Sequence, residues 1–225
     1  MAELRELREL TGDEEGAQRV AWTDTWVEAK KWLASKLEPL GAEEETDQAG
    51  NQWFTLRGSS ERALLIGGHI DSVPNGGWLD GALNLVAGVE TLRRIAELIR
   101  AVVDQGFKEL DKAFSQVPVT EDPLADLYAM ALTTRRVARE NPHLYDLMFG
   151  LSTRRATYRP LSDSDVRLSG RSPAFRGAYL HITQACERLL RSGRVRQQEP
   201  EVLAAQLWSF VHGYITLELA EHFVE

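Results

Sequence analysis

Beyond Gly81 the apolar residues of this chain fall into helical spacing and do not leave it. Leu85, Val89, Leu92, Ile95, Ile99, Val102, Phe107, Leu110 and Phe114 recur three or four apart for most of this run, which predicts a long helix to about residue 116. Segments 122–140, 142–149, 172–192 and 200–222 each carry a stripe of their own. Pro118, Pro123, Pro142, Pro160, Pro173 and Pro200 stand near the segment ends, where proline is tolerated. Only the polar, Arg- and Ser-rich stretch 150–171 interrupts them, and it reads as a loop. A chain with this pattern is mainly α: about its first 80 residues mix α and β, and about its last 130 are all-α.

The fragment has a different grammar. Trp22, Trp26, Ala29, Leu33 and Leu37 form one apolar stripe, so a helix is expected over 22–38, capped by Thr23 or Asp24 and ended by Pro39 and Gly41. Asp47-Gln48-Ala49-Gly50-Asn51 reads as a turn, and the alternation over 53–57 as a short strand. Ala63-Leu64-Leu65-Ile66 is a continuous apolar run, expected as a strand buried on both faces. It leads into Gly67-Gly68-His69-Ile70-Asp71, a glycine-rich loop over 72–81, and the start of the long helix at Asp80-Gly81.

That arrangement resembles metal chemistry. A histidine at a strand end binds zinc through one ring nitrogen, and a carboxylate two residues on lies on the same side and holds the other nitrogen. His69 and Asp71 have this spacing, and Asp80 is a second carboxylate able to bridge two metals. The whole stretch from Gly67 to Leu83 is similar to the metal-binding segment of the zinc aminoacylase/carboxypeptidase superfamily, in its N-carbamoyl-amino-acid hydrolase and allantoate amidohydrolase branch. Arg19-Val20-Ala21-Trp22-Thr23 with Leu40-Gly41-Ala42 resembles that family's opening helix. Asp47 to Asn51 resembles its Asp-x-x-Gly-Asn turn, and the likeness continues through Val86-Ala87-Gly88-Val89-Glu90. The resemblance implies His69 as a ligand of zinc or manganese, Asp71 as its orienting catalytic-site carboxylate and Asp80 as the metal bridge. Asn84 stands where the family carries glycine. The family's paired-glutamate motif, which supplies base and ligand, has no counterpart after residue 96. A dimetal hydrolase needs about three protein ligands per ion and a base. Weak metal binding and no turnover of linear amides are therefore expected.

The helical part carries Trp208-Ser209-Phe210-Val211-His212-Gly213, in which Trp208 and His212 share a face and Gly213 permits close helix approach. Read as packing alone, this buries Trp208 and bonds His212 to a carbonyl. Cys186 reads as a packed small hydrophobe, and His143, His181 and His222 as structural or surface residues. Trp208, His212 and Gly213 also look like the signature of one C-terminal domain class of TetR-family transcriptional regulators. Leu98 to Phe107 resembles that domain's first helix, and Asn141 to Gly150 its middle motif. The two resemblances imply a truncated α/β hydrolase-like fragment over 1–96 and an all-α regulator-like domain over 97–225, and the second implies binding of a small apolar effector and a homodimer through the last two long helices. Tyr128, Leu147, Phe175, Tyr179 and Trp208 are candidate pocket residues. The family's basic helix-turn-helix would precede Leu98, where the acidic hydrolase-like part stands instead, so operator binding is not expected.

Charge points the same way: a net charge of −8 opposes strong phosphate binding. The arginines of 150–198 read as a solvated loop and helix ends. No window approaches the ~18 uncharged apolar residues of a membrane span, and the charged opening lacks a signal-peptide core, so a cytoplasmic location is expected. One cysteine excludes an intrachain disulfide. The two apolar phases meet in register near Ile95-Ala96-Glu97-Leu98, which predicts one uninterrupted helix across the join. Three readings stay open. One is an effector-binding dimerisation module with a vestigial front end. Another is a metal-dependent amidohydrolase with a partial site completed in a dimer. The third is a chimera without function.

Overall fold

The computed structural model describes residues 1–57, 62–149 and 172–222. Described residues up to Leu98 form one compact unit and those from Ile99 onward a second. Among them are seven α-helices and one two-stranded sheet, so the chain is mainly α as its periodicity implies.

In the first unit the charged opening, for which the sequence pattern suggested no element, coils into α1 (Ala2–Thr11). Leu4 and Leu7 point inward from it, and Glu3 meets Arg93 at 2.7 Å. Helix α2 (Asp24–Leu37) begins where expected, with Thr23 accepting from the Trp26 amide, and ends in a 3-10 turn at Glu38–Leu40. Ala29, Trp32, Leu33 and Leu37 join Leu4, Leu7, Ile70, Ala82, Val86 and Val89 in one core. The segment around Arg19–Trp22, expected as part of a helix, lies outside α2: Ala17 bridges Gly76 and Ser72 donates to the Arg19 carbonyl.

Strand β2 (Gln52–Thr55) pairs antiparallel with β1 (Glu43–Thr46), Glu44 facing Phe54 and Glu45 facing Trp53. The turn between them is the expected one. Asp47 Oδ1 accepts from the Ala49 and Asn51 amides, and Asp47 Oδ2 accepts from the Trp53 indole at 3.1 Å.

The buried strand expected over 63–66 does not form. Those residues have no strand assignment, and Leu64 is 83% and Leu65 71% exposed. Only Ile66 finds support, against the helix at Gly88. A strand draws its hydrogen bonds from neighbours, and no described strand lies beside this one.

Helix α3 runs from Ala82 to Phe114 without a break, as the in-phase join predicts. Arg94 pairs with Glu90 at 2.8 Å and Glu97 at 3.0 Å, one turn to either side, which supports the helix locally.

The second unit is all-α, with α4 (Pro123–Glu140), α5 (Pro142–Phe149), α6 (Pro173–Arg191) and α7 (Pro200–Leu219). Each opens on proline, and Asp122 and Ser172 cap α4 and α6. The expected 150–171 loop lies outside the described residues. Helix α6 is the central element. Phe175, Tyr179, Ile182, Cys186 and Leu189 pack from it onto Phe107, Leu110 and Phe114 of α3 and Leu127 and Met130 of α4. Gly106 lets α5 approach α3, since a Cβ there would meet Met148 Sδ at 2.5 Å. Cys186 is fully buried, as a packed small hydrophobe should be, and burial pushes its thiol up to about 11.

One buried charge ties α4 to α6. Asp126 is 2% exposed, accepts from the Thr120 amide and hydroxyl, and is paired with Arg188. Burial works against its carboxylate, but the Thr120 and Arg188 hydrogen bonds prevail and hold its pKa below the ordinary value. A depressed carboxylate stabilises the fold above the unfolded pKa of about 3.9, and that contribution is lost as pH falls through the folded pKa. Asp126→Ala should cost roughly 3 kcal/mol in urea unfolding, because it leaves Arg188 unpaired, and the difference from wild type should shrink below about pH 4.

Candidate functional site

The first unit brings the expected histidine and both carboxylates together. His69 Nδ1 lies 3.3 Å from Asp71 Oδ1 and 3.1 Å from the Asp71 carbonyl oxygen. His69 Nε2 lies 3.9 Å from Asp80 Oδ1. Asp71 thus faces one ring nitrogen and Asp80 the other. Gly81 makes the approach possible: its φ is +64°, and a Cβ there would stand 2.1 Å from the His69 carbonyl oxygen.

Beneath this cluster lies a residue that sequence reasoning did not single out. Arg19 is fully buried; its Nε donates to the Ile70 carbonyl at 2.8 Å and one terminal nitrogen contacts Thr11 Oγ1 at 3.4 Å. Among the described residues the other terminal nitrogen has no hydrogen-bond partner. Burial lowers the Arg19 pKa, and the charges of Asp71 and Asp80 oppose that shift. Arg19 stands 51 residues from Ile70 in sequence, so no local spacing marks it. It braces the backbone that carries His69 and supplies a positive charge beneath two carboxylates.

Two donors bound to one zinc at about 2.1 Å in tetrahedral geometry lie about 3.4 Å apart. The His69–Asp80 pair is wider than that, and Asp71 sits on the opposite side of the ring. Among the described residues no group of three or more His, Cys, Asp or Glu side chains could hold a metal ion. The donor set does not fit a complete hydrolytic metal centre.

The second unit holds two features. The first joins two sequence motifs. Trp208 and His212 on α7 both lie against Phe149 of α5, with ring centroids at 5.5 and 4.6 Å. Tyr145, one turn before Phe149, places its hydroxyl 2.9 Å from His212 Nδ1. His212 Nδ1 therefore meets the Tyr145 phenol, the buried polar group that α5 presents there. Burial raises the Tyr145 pKa, which keeps the phenol protonated. Gly213 faces open space rather than a neighbouring helix among the described residues.

The second feature is a cavity of about 420 Å³ between α4 and α7, floored by Leu127, Met130, Ile182 and Trp208. Of the five candidate pocket residues, Tyr128 and Trp208 line it. Phe175 and Tyr179 stack on each other in the core at 5.6 Å. Leu147 is half-buried on α5 and does not line the cavity.

Residues 127–225 match the family model for the tetracyclin repressor-like C-terminal domain. The match contains both interlocking motifs and most of the cavity wall. The N-terminal part is similar to amidohydrolases. It is 32% identical over 84 residues to the allantoate amidohydrolase of Bacillus subtilis and 37% identical over 84 residues to the N-carbamoyl-L-amino acid amidohydrolase of Geobacillus stearothermophilus. Each alignment covers 36% of this chain and 20% of the relative. A third relative, the N-carbamoyl-L-amino-acid amidohydrolase of Paenarthrobacter aurescens, is 27% identical over 192 residues, which is 81% of this chain and 44% of that protein. The chain thus spans a fifth to under half the length of these relatives. No solved structure matches. A stretch that matches the tetracyclin repressor-like C-terminal domain model and an N-terminal part similar to amidohydrolases stand in this one chain.

The interlock has a measurable consequence. Tyr145→Phe removes one buried hydrogen bond without changing shape, so it should lower stability by about 1 kcal/mol in urea titration.

Proposed function

We propose that the second unit is a self-associating, small-effector-binding module of the TetR type, and that its working site is the α4–α7 cavity. The observation that carries this is the cavity itself. Its volume of about 420 Å³ lies within the range of small-molecule sites, and its lining is largely apolar. Tyr128 and Trp208 offer flat rings for an apolar ligand, and Thr134 and Arg135 lie among the few polar side chains of the wall. Self-association would use α7, which carries exposed Val202, Phe210, Tyr214 and Leu217. Helix α6 joins it, as the sequence expectation has it, with Leu180 exposed beside its core-facing side. A cytoplasmic regulator fits this reading, and no described helix is long and apolar enough to cross a membrane.

The first unit takes the role of a remnant. His69 and Asp80, facing each other, support weak zinc or manganese binding in an open site without turnover. The two families' parts would then form a chimera whose surviving activity lies in its helical half.

Two measurements test these assignments. The neutral apolar probe N-phenyl-1-naphthylamine should bind the full chain saturably. Trp208→Ala should weaken that binding roughly 10-fold, the effect of losing about 1.4 kcal/mol of contact, while circular dichroism stays unchanged. Probe binding that ignores Trp208→Ala refutes the cavity as the site. For the first unit, zinc added to the chain should be lost on dialysis, and His69→Ala should remove the remaining weak calorimetric signal. One zinc ion retained per chain refutes the remnant reading.

A further inference from the structure

We propose that the α4–α7 cavity takes an uncharged, planar aromatic ligand and discriminates against anions and cations built on the same rings. The inference rests on the effector-binding role proposed above and names the class of effector.

Aromatic rings line both sides of the cavity: Tyr128 from α4, and Trp208, Phe210 and Tyr214 from α7. Trp208 is held in place from behind. Its ring centroid lies 5.5 Å from Phe149, 5.9 Å from Tyr179 and 6.3 Å from Phe175, the last two meeting it edge-on. A ring fixed in this way loses little conformational freedom when a ligand settles on it. Tyr128 is 65% and Phe210 74% exposed, so they stand at the rim. Contacts between aromatic rings add to affinity beyond the area they bury, and a saturated ligand of the same size forgoes that gain.

The polar groups of the wall are already committed within the chain. Among the described residues Arg135 is the charged residue of the lining. Its Nε donates to one carboxylate oxygen of Glu218 at 2.7 Å, and a terminal nitrogen donates to the other. Arg139 stands 3.7 Å from the same carboxylate. The Arg135 hydrogen bond and the two positive charges hold the Glu218 pKa below its ordinary value, which keeps the pair ionised. The Thr134 hydroxyl donates to the Met130 carbonyl at 2.9 Å. A ligand anion would have to draw Arg135 from a bidentate partner, and a ligand cation would have to draw Glu218 from two arginines. Burying a charge without a partner costs far more than burying a neutral ring. The pairing that denies a charged ligand its counter-ion costs a neutral ring nothing.

Two probes of one skeleton test the class on the full chain. N-phenyl-1-naphthylamine is neutral, and 8-anilino-1-naphthalenesulfonate adds a sulfonate to the same rings. The neutral probe should bind roughly 10-fold more tightly, the effect of about 1.4 kcal/mol. In competition, naphthalene should displace it roughly 10-fold better than either decalin or the cation 1-naphthylmethylammonium. The double variant Tyr128→Leu/Phe210→Leu keeps the rim apolar and spares the core. It should weaken the neutral probe roughly 10-fold with an unchanged circular dichroism spectrum. Glu218→Gln releases Arg135 from its charged partner, so it should tighten the sulfonate and leave the neutral probe unchanged. A sulfonate or ammonium bound as tightly as the neutral rings overturns the discrimination against charge. A sulfonate unmoved by Glu218→Gln overturns the ion pair as its cause. Decalin as effective as naphthalene, or a double variant without effect, overturns the aromatic class. A neutral probe that does not bind, or whose binding ignores Trp208→Ala, overturns the cavity reading itself.

Discussion

A helix satisfies its backbone hydrogen bonds within itself, and a strand cannot. That difference decides how this chain folds. Each of the five helical segments read beyond Gly81 closes its own backbone and needs neighbours only to cover one face. The run Ala63–Ile66 carries as strong an apolar signal, but its hydrogen-bond partners would have to come from other strands, and the sheet described here contains only β1 and β2. The amidohydrolase-like part therefore keeps what is local: capped α2, the Asp47 turn and the hairpin around it.

Legibility in the sequence followed the same division. The spans of α4 to α7 agreed closely with the apolar stripes and prolines, and Thr23 capped α2 as its residue type suggests. Strand β1 was hidden because Glu43-Glu44-Glu45 reads as a charge run; its side chains stay largely in solvent while its backbone pairs with β2. The His69–Asp71 pairing was readable because the two residues are two apart. Arg19 beneath them and Tyr145 against His212 were not, since each contact joins positions more than fifty residues apart. The cavity residues divided for a similar reason: Tyr128 and Phe175 are both aromatic residues on amphipathic helices, and only packing sends one to a cavity wall and the other to the core.

The two units handle charge differently, and the contrast fits their proposed roles. In the second, Asp126 is buried with Thr120 and Arg188 around it, and Arg135 and Arg139 converge on Glu218. These links fasten α4 to α6 and α7, the elements that surround the cavity. In the first, His69, Asp71 and Asp80 remain largely in solvent while the charge below them, on Arg19, is the buried one. A hydrolytic site concentrates its field in a dry cleft; here the solvent-exposed side chains are screened.

The exposed Leu64-Leu65-Ile66 run has a meaning beyond folding. An exposed apolar segment without strand partners among the described residues is what templated aggregation selects, and exposed side chains of this kind are what a protease or holdase reaches first. The accessible Leu64-Leu65 pair carries that liability whatever stability Asp126 and the Phe149 interlock lend their own unit.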